Sequence, residues 1–271
     1  MSKAANLLAL EELGQSVWYD NISRELLVSG GLKEILDQGV VGLTSNPSIF
    51  EKAISSSEVY DPAIQSMNSE KYSDIEVYEK LAIADIQDAA DLLADTYSST
   101  RVQNGYVSLE VNPHLANDTD GTVAEAERLH KRVDRPNLMI KVPATKSGIP
   151  AIHQLISKGI SVNVTLIFST EMYSLVREAY LSGLENLHAN GADLSKVISV
   201  ASFFVSRVDT AVDNAISEEK LLSDELKGMA GIANAKIGLQ KTSGTLSHLF
   251  DLRNFAKLVL IYRDHYGLVQ A

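Results

Sequence analysis

Short apolar segments alternate with longer amphipathic segments along most of the chain. The apolar segments cover residues 15–19, 40–43, 105–111, 138–142, 162–168 and 198–204. Most of them are continuous rather than interrupted by polar positions, which is typical of parallel strands covered on both faces. Between them, residues 121–133, 148–157 and 170–190 have the apolar spacing of amphipathic helices. The alternation predicts right-handed strand–helix–strand units and a parallel sheet.

The connection between the second and third predicted strands is longer than the others. It contains a long helical pattern at residues 72–97, preceded by a polar stretch at 55–71. We interpret residues from about 50 to 100 as a helical elaboration on one strand–helix step. The prediction is therefore a single domain over residues 1–271.

Two parallel-sheet folds fit this order of elements, and the positions of the polar residues separate them. An open, doubly wound sheet normally carries a glycine-rich phosphate turn after an early strand. The sequence contains neither GxGxxG nor a P-loop. Polar residues instead end or follow each predicted strand, as they do where a (β/α)8 barrel builds its active site. We predict an α/β fold, a (β/α)8 TIM barrel with six recognisable strands.

Composition narrows the possible partners. A net charge of −11 argues against binding to nucleic acid or to an anionic membrane, because both need a basic surface. One or two arginines can still hold a phosphate group on an acidic protein. The absence of cysteine excludes disulfides, thiolate metal ligands and thiol nucleophiles. The first residues lack a signal-peptide pattern and no apolar run approaches about 18 residues, which predicts a cytoplasmic protein.

Lys141 is the one charged residue in the apolar segment 138–142. Burying an ammonium ion costs several kcal/mol unless the ion is paired or loses its proton. A neutral lysine amine can condense with a ketone or an aldehyde. The alternative is an edge-strand lysine whose stem packs while its ammonium group reaches water. For Lys141 alone, both interpretations stay open.

The other strand ends also carry groups capable of chemistry. They supply carboxylates, hydroxyls, amides and one guanidinium: Asp20, Thr44, Asn46, Glu110, Asn163, Thr165, Ser202 and Arg207. A purely structural barrel would fill such positions with Val, Ile and Leu. Together with Lys141, the set fits Schiff-base chemistry on a sugar. It offers an amine for the carbonyl carbon, acids to move protons, hydrogen-bonding groups for a polyol and a guanidinium for a phosphate.

Each of these residues has a structural alternative when it is taken alone. Asp20 can be the N-cap of a helix that begins near Ile22. Residues 44–47 can form a turn and an N-cap ahead of the next helix. Glu110 can be an inward-facing structural acid with a hydrogen-bond partner.

The fifth and sixth predicted strands leave similar alternatives. Asn163 and Thr165 share one face at period two, with Val164 on the opposite face. They can form a satisfied polar layer inside the barrel instead of a binding site. Arg207 can pair with Asp209 in solvent on the following helix.

Six segments, taken in chain order, resemble the bacterial transaldolases. They are GQSVWYDNI at 14–22, GLTSNPSIF at 42–50, SLEV at 108–111, MIKVPAT at 139–145, NVTLIFS at 163–169 and ASFFVSR at 201–207. The resemblance covers roughly residues 10–240. It implies a TIM barrel of the class I aldolase type.

The resemblance also implies an activity. In transaldolases, a lysine on the fourth strand forms a Schiff base with a ketose phosphate, such as fructose 6-phosphate or sedoheptulose 7-phosphate. The bound dihydroxyacetone unit then passes to an aldose phosphate in the non-oxidative pentose phosphate pathway. The implied partners are sugar phosphates, and the implied reaction uses no cofactor and no metal. A related possibility is cleavage of fructose 6-phosphate without an acceptor, as in fructose-6-phosphate aldolases.

By the same resemblance, each strand-end residue receives a role. Lys141 is the Schiff-base lysine, Glu110 acts with a water as the acid/base of imine formation, and Asp20 takes and returns the hydroxyl proton at carbon–carbon cleavage. Arg207 holds the substrate phosphate. The residues that bind the dihydroxyacetone portion are Thr44, Asn46, Asn163, Thr165 and Ser202.

The last thirty or so residues change character. The resemblance fades after Lys241, so we divide the domain into a family-like part, 1–241, and a divergent tail, 242–271, which contains only two acids, Asp251 and Asp264. Residues 258–262 predict one further strand, with no eighth strand after it. We interpret the tail as a frameshift product of a longer coding sequence, which reading the coding DNA would test. A truncated barrel would leave strand edges unpaired, so a catalytically inactive fragment is the alternative from another functional class.

Overall fold

The computed structural model describes residues 5–219, 224–246, 257–261 and 268–270. These residues fall into two compact units. The first unit holds the described residues up to Glu110 together with 127–140, and the second holds 111–126 and the described residues from Lys141 onward. One helix, Thr119–Val133, and one strand, Leu138–Pro143, contribute residues to both units.

The first unit is built from short strands and a series of helices. In chain order its elements are α1 (Ala5–Glu12), β1 (Val17–Tyr19), α2 (Arg24–Val28), α3 (Gly31–Asp37), β2 (Val40–Thr44), α4 (Pro47–Ser56), α5 (Asp61–Ser69), α6 (Asp74–Leu92), α7 (Ala94–Ser99) and β3 (Val107–Glu110). The long helix α6 begins with a capping box, in which Ser73 and Glu76 each accept the backbone N–H of the other.

Strands β1, β2 and β3 pair in parallel in the order of the chain. Trp18 lies opposite Gly42, and Thr44 lies opposite Ser108. Residues opposite each other on adjacent parallel strands point to the same side of a sheet, and so do residues two apart on one strand. These four residues therefore share one face of the sheet, which we call the Thr44 face.

The second unit continues the alternation of strands and helices. Its elements, with the two shared ones first, are α8 (Thr119–Val133), β4 (Leu138–Pro143), α9 (Gly148–Ser157), β5 (Val162–Ile167), α10 (Thr170–Ala189), β6 (Ser199–Phe204), α11 (Ser206–Glu219), α12 (Ala230–Leu246), β7 (Lys257–Ile261) and β8 (Leu268–Gln270). Strands β5, β6 and β7 pair in parallel, whereas β8 is antiparallel to β7. Among the described helices, none is both long and apolar enough to cross a membrane.

The predicted α/β fold class is confirmed. Each of the six predicted strands is present, and parallel strands alternate with helices. The helical pattern predicted at 72–97 is divided into α6 and α7 at Leu93. The N–H of Leu93 is shared between the carbonyls of Ala89 and Ala90, which is the tightened turn of a helix end. The apolar periodicity continues across this break, so the pattern alone does not reveal it.

The tail is described only in part. The strand predicted at 258–262 is present as β7 up to Ile261. The expectation that no further strand follows is wrong, because β8 is present. Its antiparallel pairing with β7 differs from the all-parallel strands of a (β/α)8 barrel. Most of the predicted frameshift product, 242–271, lies outside the described residues.

A partly buried ion pair joins α2 to α6 in the first unit. The Nε and Nη2 atoms of Arg24 lie 2.8 and 2.7 Å from Oδ1 of Asp85, whose side chain is fully buried. The hydroxyl of Tyr60 donates to Oδ2 of the same carboxylate at 2.8 Å and accepts the backbone N–H of Arg24 at 2.8 Å. Burial and the neighbouring carboxylate raise the pKa of Tyr60, so the phenol keeps the proton that it donates.

The half-buried His130 of α8 makes stability depend on pH. Burial lowers the pKa of His130, and the nearby Asp134 opposes this only in part. The unfolded chain therefore binds a proton at this residue more readily than the folded protein does. Stability is retained above the ordinary histidine pKa and lost as the pH falls through the lowered one. We expect the melting temperature of the wild type to fall more steeply between pH 7.5 and pH 5.5 than that of His130→Gln, measured by circular dichroism. Equal slopes would contradict this assignment.

Candidate functional site

Four of the predicted site residues lie in the first unit, at the carboxyl ends of its strands. Asp20 follows β1, Thr44 ends β2, Asn46 precedes α4 and Glu110 ends β3. Because Thr44 lies opposite Ser108, and Glu110 comes two residues later, Thr44 and Glu110 lie on the same side of the sheet. The Thr44 face therefore carries a hydroxyl and a carboxylate at its carboxyl edge.

Asp20 is buried, with 8% of its surface exposed. The helix that follows begins at Arg24, and its N-cap is Ser23, whose hydroxyl accepts the N–H of Leu26 at 3.2 Å. The alternative that Asp20 caps this helix is therefore wrong. A buried carboxylate that is not used as the cap is consistent with the chemical role predicted for Asp20.

The two residues at the end of β2 differ in their partners. Asn46 is the N-cap of α4, and its Oδ1 accepts the N–H of Ile49 at 3.0 Å, so the structural alternative holds for this oxygen. Thr44 is 1% exposed, and its Oγ1 has no hydrogen-bond partner within the described chain. Buried hydroxyls are normally paired with protein, water or ligand. Thr44 is therefore the stronger candidate for contact with a bound molecule.

Sequence reasoning did not identify Tyr78 of α6, which lies near Glu110. Its ring meets that of Phe50 edge-on, with centroids 6.3 Å apart. Burial, together with the carboxylates of Glu110 and Glu51, raises the pKa of Tyr78 to about 12. The phenol therefore stays protonated and can donate a hydrogen bond near the predicted acid/base. In the sequence, Tyr78 is one aromatic position of a long helix, and nothing in the helical pattern distinguishes it.

The other predicted residues lie in the second unit, and Lys141 is the central one. It is 5% exposed, and every residue of β4 is buried. This burial argues against the alternative of an edge-strand lysine whose ammonium group reaches water. The backbone of Lys141 is fixed by the N–H of Val111, which donates to its carbonyl at 3.1 Å.

Strands β5 and β6 bring two of the predicted side chains together. The hydroxyl of Ser202 donates to Oδ1 of Asn163 at 2.8 Å, and both residues are fully buried. Thr165 is also buried, and its carbonyl accepts the N–H of Ala144 at 2.8 Å. The predicted polar layer is therefore present, and at least one of its hydrogen bonds is satisfied internally.

Arg207 lies at the start of α11 and is exposed. Its guanidinium lies 4.7 Å from the ring centroid of Phe204, and that ring stacks on Phe168 at 5.0 Å. Within the described residues, Arg207 forms no ion pair. Asp209, the alternative partner, is buried and accepts the N–H of Gly231 at 2.6 Å. The alternative of a solvated Arg207–Asp209 pair is therefore wrong.

An open cavity lies beside Arg207. Its volume is about 390 Å³, and it is lined by Ser206, Arg207, Thr210, Ala211 and Asn214. Hydroxyl, amide and guanidinium groups are suitable donors for an oxyanion such as a phosphate. Elsewhere in the described residues, no three His, Asp or Glu side chains gather as a metal ion would need.

The fold and the residues at the strand ends together define a class of protein. The chain is an α/β protein with parallel strands whose ends carry a buried lysine, a buried aspartate and hydrogen-bonding side chains. The family model described as Transaldolase/Fructose-6-phosphate aldolase matches residues 17–243. The chain belongs to this family. The match ends two residues after Lys241, close to the point where the sequence pattern changes.

Curated bacterial proteins are similar to the chain over most of its length. A protein named Transaldolase from Trichodesmium erythraeum is 46% identical over 246 residues, which cover 87% of this chain and 65% of that protein. Transaldolase 2 of Streptomyces avermitilis is 49% identical over 245 residues, covering 89% of this chain and 65% of that protein. Transaldolase of Mycolicibacterium smegmatis is 47% identical over 262 residues, covering 95% of this chain and 69% of that protein. The chain thus spans about two thirds of the length of these relatives.

Proposed function

We propose that the chain catalyses transaldol transfer, in which a dihydroxyacetone unit moves from a ketose phosphate to an aldose phosphate. The observation that carries the proposal is a lysine buried within a parallel strand, Lys141, in a chain of the transaldolase family. We propose fructose 6-phosphate and sedoheptulose 7-phosphate as donors, within the cytoplasmic, non-oxidative pentose phosphate pathway.

Lys141 is the proposed nucleophile. Its amine attacks the ketone carbon of the donor to give a carbinolamine, and loss of water gives an imine. The imine accepts the electron pair released when the bond between C3 and C4 breaks, which forms an enamine and frees the first aldose. The enamine then attacks the aldehyde carbon of the acceptor, and hydrolysis of the new imine returns the free amine. The chemistry needs no group beyond the protein side chains and water.

The two carboxylates are proposed to move the protons of this sequence. Glu110, acting through a water, protonates the leaving hydroxyl at carbinolamine dehydration and reverses this at hydrolysis. Asp20 takes the proton of the C4 hydroxyl when the carbon–carbon bond breaks and returns it when the new bond forms. The burial of Asp20 supports this assignment.

The remaining residues are proposed to hold the substrate. Thr44, with a hydroxyl that lacks a partner in the described chain, supports a contact with the dihydroxyacetone portion. Asn163, paired with Ser202, is fixed in orientation by that hydrogen bond. Asn46 and Thr165 complete the proposed set for this portion, and Arg207 is the proposed phosphate anchor.

A coupled assay tests the function directly. Purified protein is supplied with fructose 6-phosphate and erythrose 4-phosphate, and release of glyceraldehyde 3-phosphate is followed through NADH oxidation. We expect release that depends on the acceptor. Release of free dihydroxyacetone without an acceptor would instead support aldolase cleavage. The absence of both products from folded protein would support the inactive fragment.

Arg207 gives a prediction specific to the phosphate. Arg207→Ala should raise the KM for fructose 6-phosphate by about 10- to 100-fold, because a charge-assisted contact is lost, with a smaller effect on kcat. Arg101→Ala, which removes an exposed arginine of the first unit, is the matched control and should leave KM unchanged. The same coupled assay, run over a range of donor concentrations, measures both constants. An unchanged KM in Arg207→Ala would remove Arg207 from the proposed site.

A further inference from the structure

The only tryptophan of the chain, Trp18, lies on the Thr44 face. It is 1% exposed, and its indole ring lies against the backbone of Gly42. A Cβ atom at residue 42 would be 2.5 Å from Cε2 of Trp18, so only glycine permits this approach. Asp20 comes two residues after Trp18, and Thr44 two residues after Gly42. The indole ring therefore lies on the same face as Asp20 and Thr44, and nearer to the amino ends of β1 and β2 than those two residues.

Two polar atoms on this face are buried without a hydrogen-bond partner among the described residues. They are Nε1 of Trp18 and Oγ1 of Thr44. An unpaired N–H or hydroxyl inside a protein is destabilising and uncommon, and such groups are usually satisfied by an ordered water or a ligand. By contrast, the buried hydroxyl of Ser202 in the second unit has a partner, Oδ1 of Asn163. The Trp18 and Thr44 atoms thus indicate a site for a small polar molecule.

The two groups occupy neighbouring positions on the Thr44 face. Nε1 of Trp18 lies 2.7 Å from the Cβ position at residue 42. The next position on the same face, Thr44, lies roughly 6.6 Å along the strand. Two hydrogen bonds of about 2.8 Å through one water span up to roughly 5.6 Å. With the indole nitrogen on the Thr44 side of residue 42, 2.7 Å of this separation is already covered, and one water spans the remainder.

The direction of the hydrogen bonds has a chemical consequence. An indole N–H is a donor only, so the water must accept from Trp18. The water can then donate one of its hydrogens to Oγ1 of Thr44. Because Oγ1 of Thr44 accepts this hydrogen bond from the water, the hydroxyl hydrogen of Thr44 can be donated to an oxygen atom of the substrate.

We propose that Trp18 is a positioning residue: its indole N–H and the Thr44 hydroxyl hold one buried water, which turns the Thr44 hydrogen toward the substrate. The proposal rests on the proposed function only in supplying a substrate oxygen for Thr44 to bind. Trp18 does not itself touch the substrate.

Nuclear magnetic resonance tests the bridge without reference to activity. Because the chain has one tryptophan, the ¹⁵N-labelled protein gives a single indole N–H signal. Thr44→Val keeps the shape of the side chain but removes the hydroxyl, and we expect the indole proton signal to move upfield as the bridge is lost. Thr122→Val removes another buried threonine hydroxyl, one that donates to the carbonyl of Leu115, and should leave the signal in place. An unmoved signal in Thr44→Val would overturn the proposal.

Kinetics test the consequence for the reaction. Trp18→Phe keeps an aromatic ring but removes the donor, and we expect kcat to fall about tenfold with a smaller change in KM, because the loss of one oriented hydrogen bond acts mainly in the transition state. Tyr180→Phe, which removes a buried hydroxyl in the second unit, should leave both constants unchanged. An unaltered kcat in folded Trp18→Phe would overturn the proposal. If the wild type lacks activity, the proposed function fails while the indole signal still decides on the bridge. The indole signal also decides if Trp18→Phe does not fold.

Discussion

Lys141→Met should abolish dihydroxyacetone transfer while leaving the protein folded. Removing a covalent nucleophile lowers kcat by at least about 10³-fold, because the imine that accepts the electron pair cannot form. Methionine has nearly the length of lysine without its charge, so it can occupy the same buried position in β4. We therefore expect the variant to remain folded and to unfold cooperatively, as the wild type does. The coupled assay gives the activity, and circular dichroism gives the melting temperature.

A second lysine provides the matched control for this variant. Lys158 lies at the end of α9 and is exposed, so Lys158→Met removes the same group outside the predicted site. Its activity should equal that of the wild type. If Lys141→Met kept more than about a tenth of wild-type activity, Lys141 would not be the nucleophile.

Asp85→Ala should cause the largest loss of stability among the substitutions considered. The carboxylate of Asp85 is fully buried and holds Arg24 and the hydroxyl of Tyr60. Removing it leaves a partly buried guanidinium and a fully buried phenol without their acceptor, and loss of one partner of such a pair costs about 3–5 kcal/mol when the pair is buried. Because the network joins α2 to α6, we expect the loss as a lower midpoint of urea unfolding with an unchanged slope.

Asp88→Ala is the control for this variant, since Asp88 lies on the same helix and is exposed. It should change the free energy of unfolding by less than about 0.5 kcal/mol. A loss below about 1 kcal/mol in Asp85→Ala would mean that the network is not a major source of stability.

The strands and the candidate site residues were predictable because they depend on local pattern. A continuous apolar run gives a buried parallel strand, and the residue that ends it lies at the carboxyl edge of the sheet. This is how Lys141, Glu110 and Thr44 can be selected from the sequence. The strand limits differ from the structure by one or two residues, as at β1, where the predicted segment 15–19 is Val17–Tyr19. Such limits depend on hydrogen bonding between strands, which a single sequence does not display.

Features that join residues far apart in the chain could not be predicted. Arg24 and Asp85 are separated by 61 positions, and neither has a local pattern that indicates its partner. The contact between Trp18 and Gly42 depends on the register of β1 against β2, which is displaced by a local irregularity between Val17 and Trp18. That Ser23 rather than Asp20 caps α2 could be seen only from the observed start of the helix.

Asn46 shows how a structural alternative and a functional prediction can both hold. Its Oδ1 caps α4, as the turn-and-cap interpretation predicts. The amide nitrogen of the same side chain is not needed for that cap, so the proposed contact with substrate has a donor left to use. The two hypotheses for Asn46 therefore concern different atoms.

Lys141 is the residue proposed to form the covalent intermediate, and borohydride trapping tests this step without relying on turnover. The protein is incubated with fructose 6-phosphate, reduced with sodium borohydride, digested with trypsin and analysed by mass spectrometry. We predict a reduced dihydroxyacetone adduct on Lys141, which blocks cleavage there and joins residues 133–141 to 142–146 in one peptide. An adduct on a different lysine, or no adduct on folded protein that turns over the donor, would show that Lys141 is not the nucleophile.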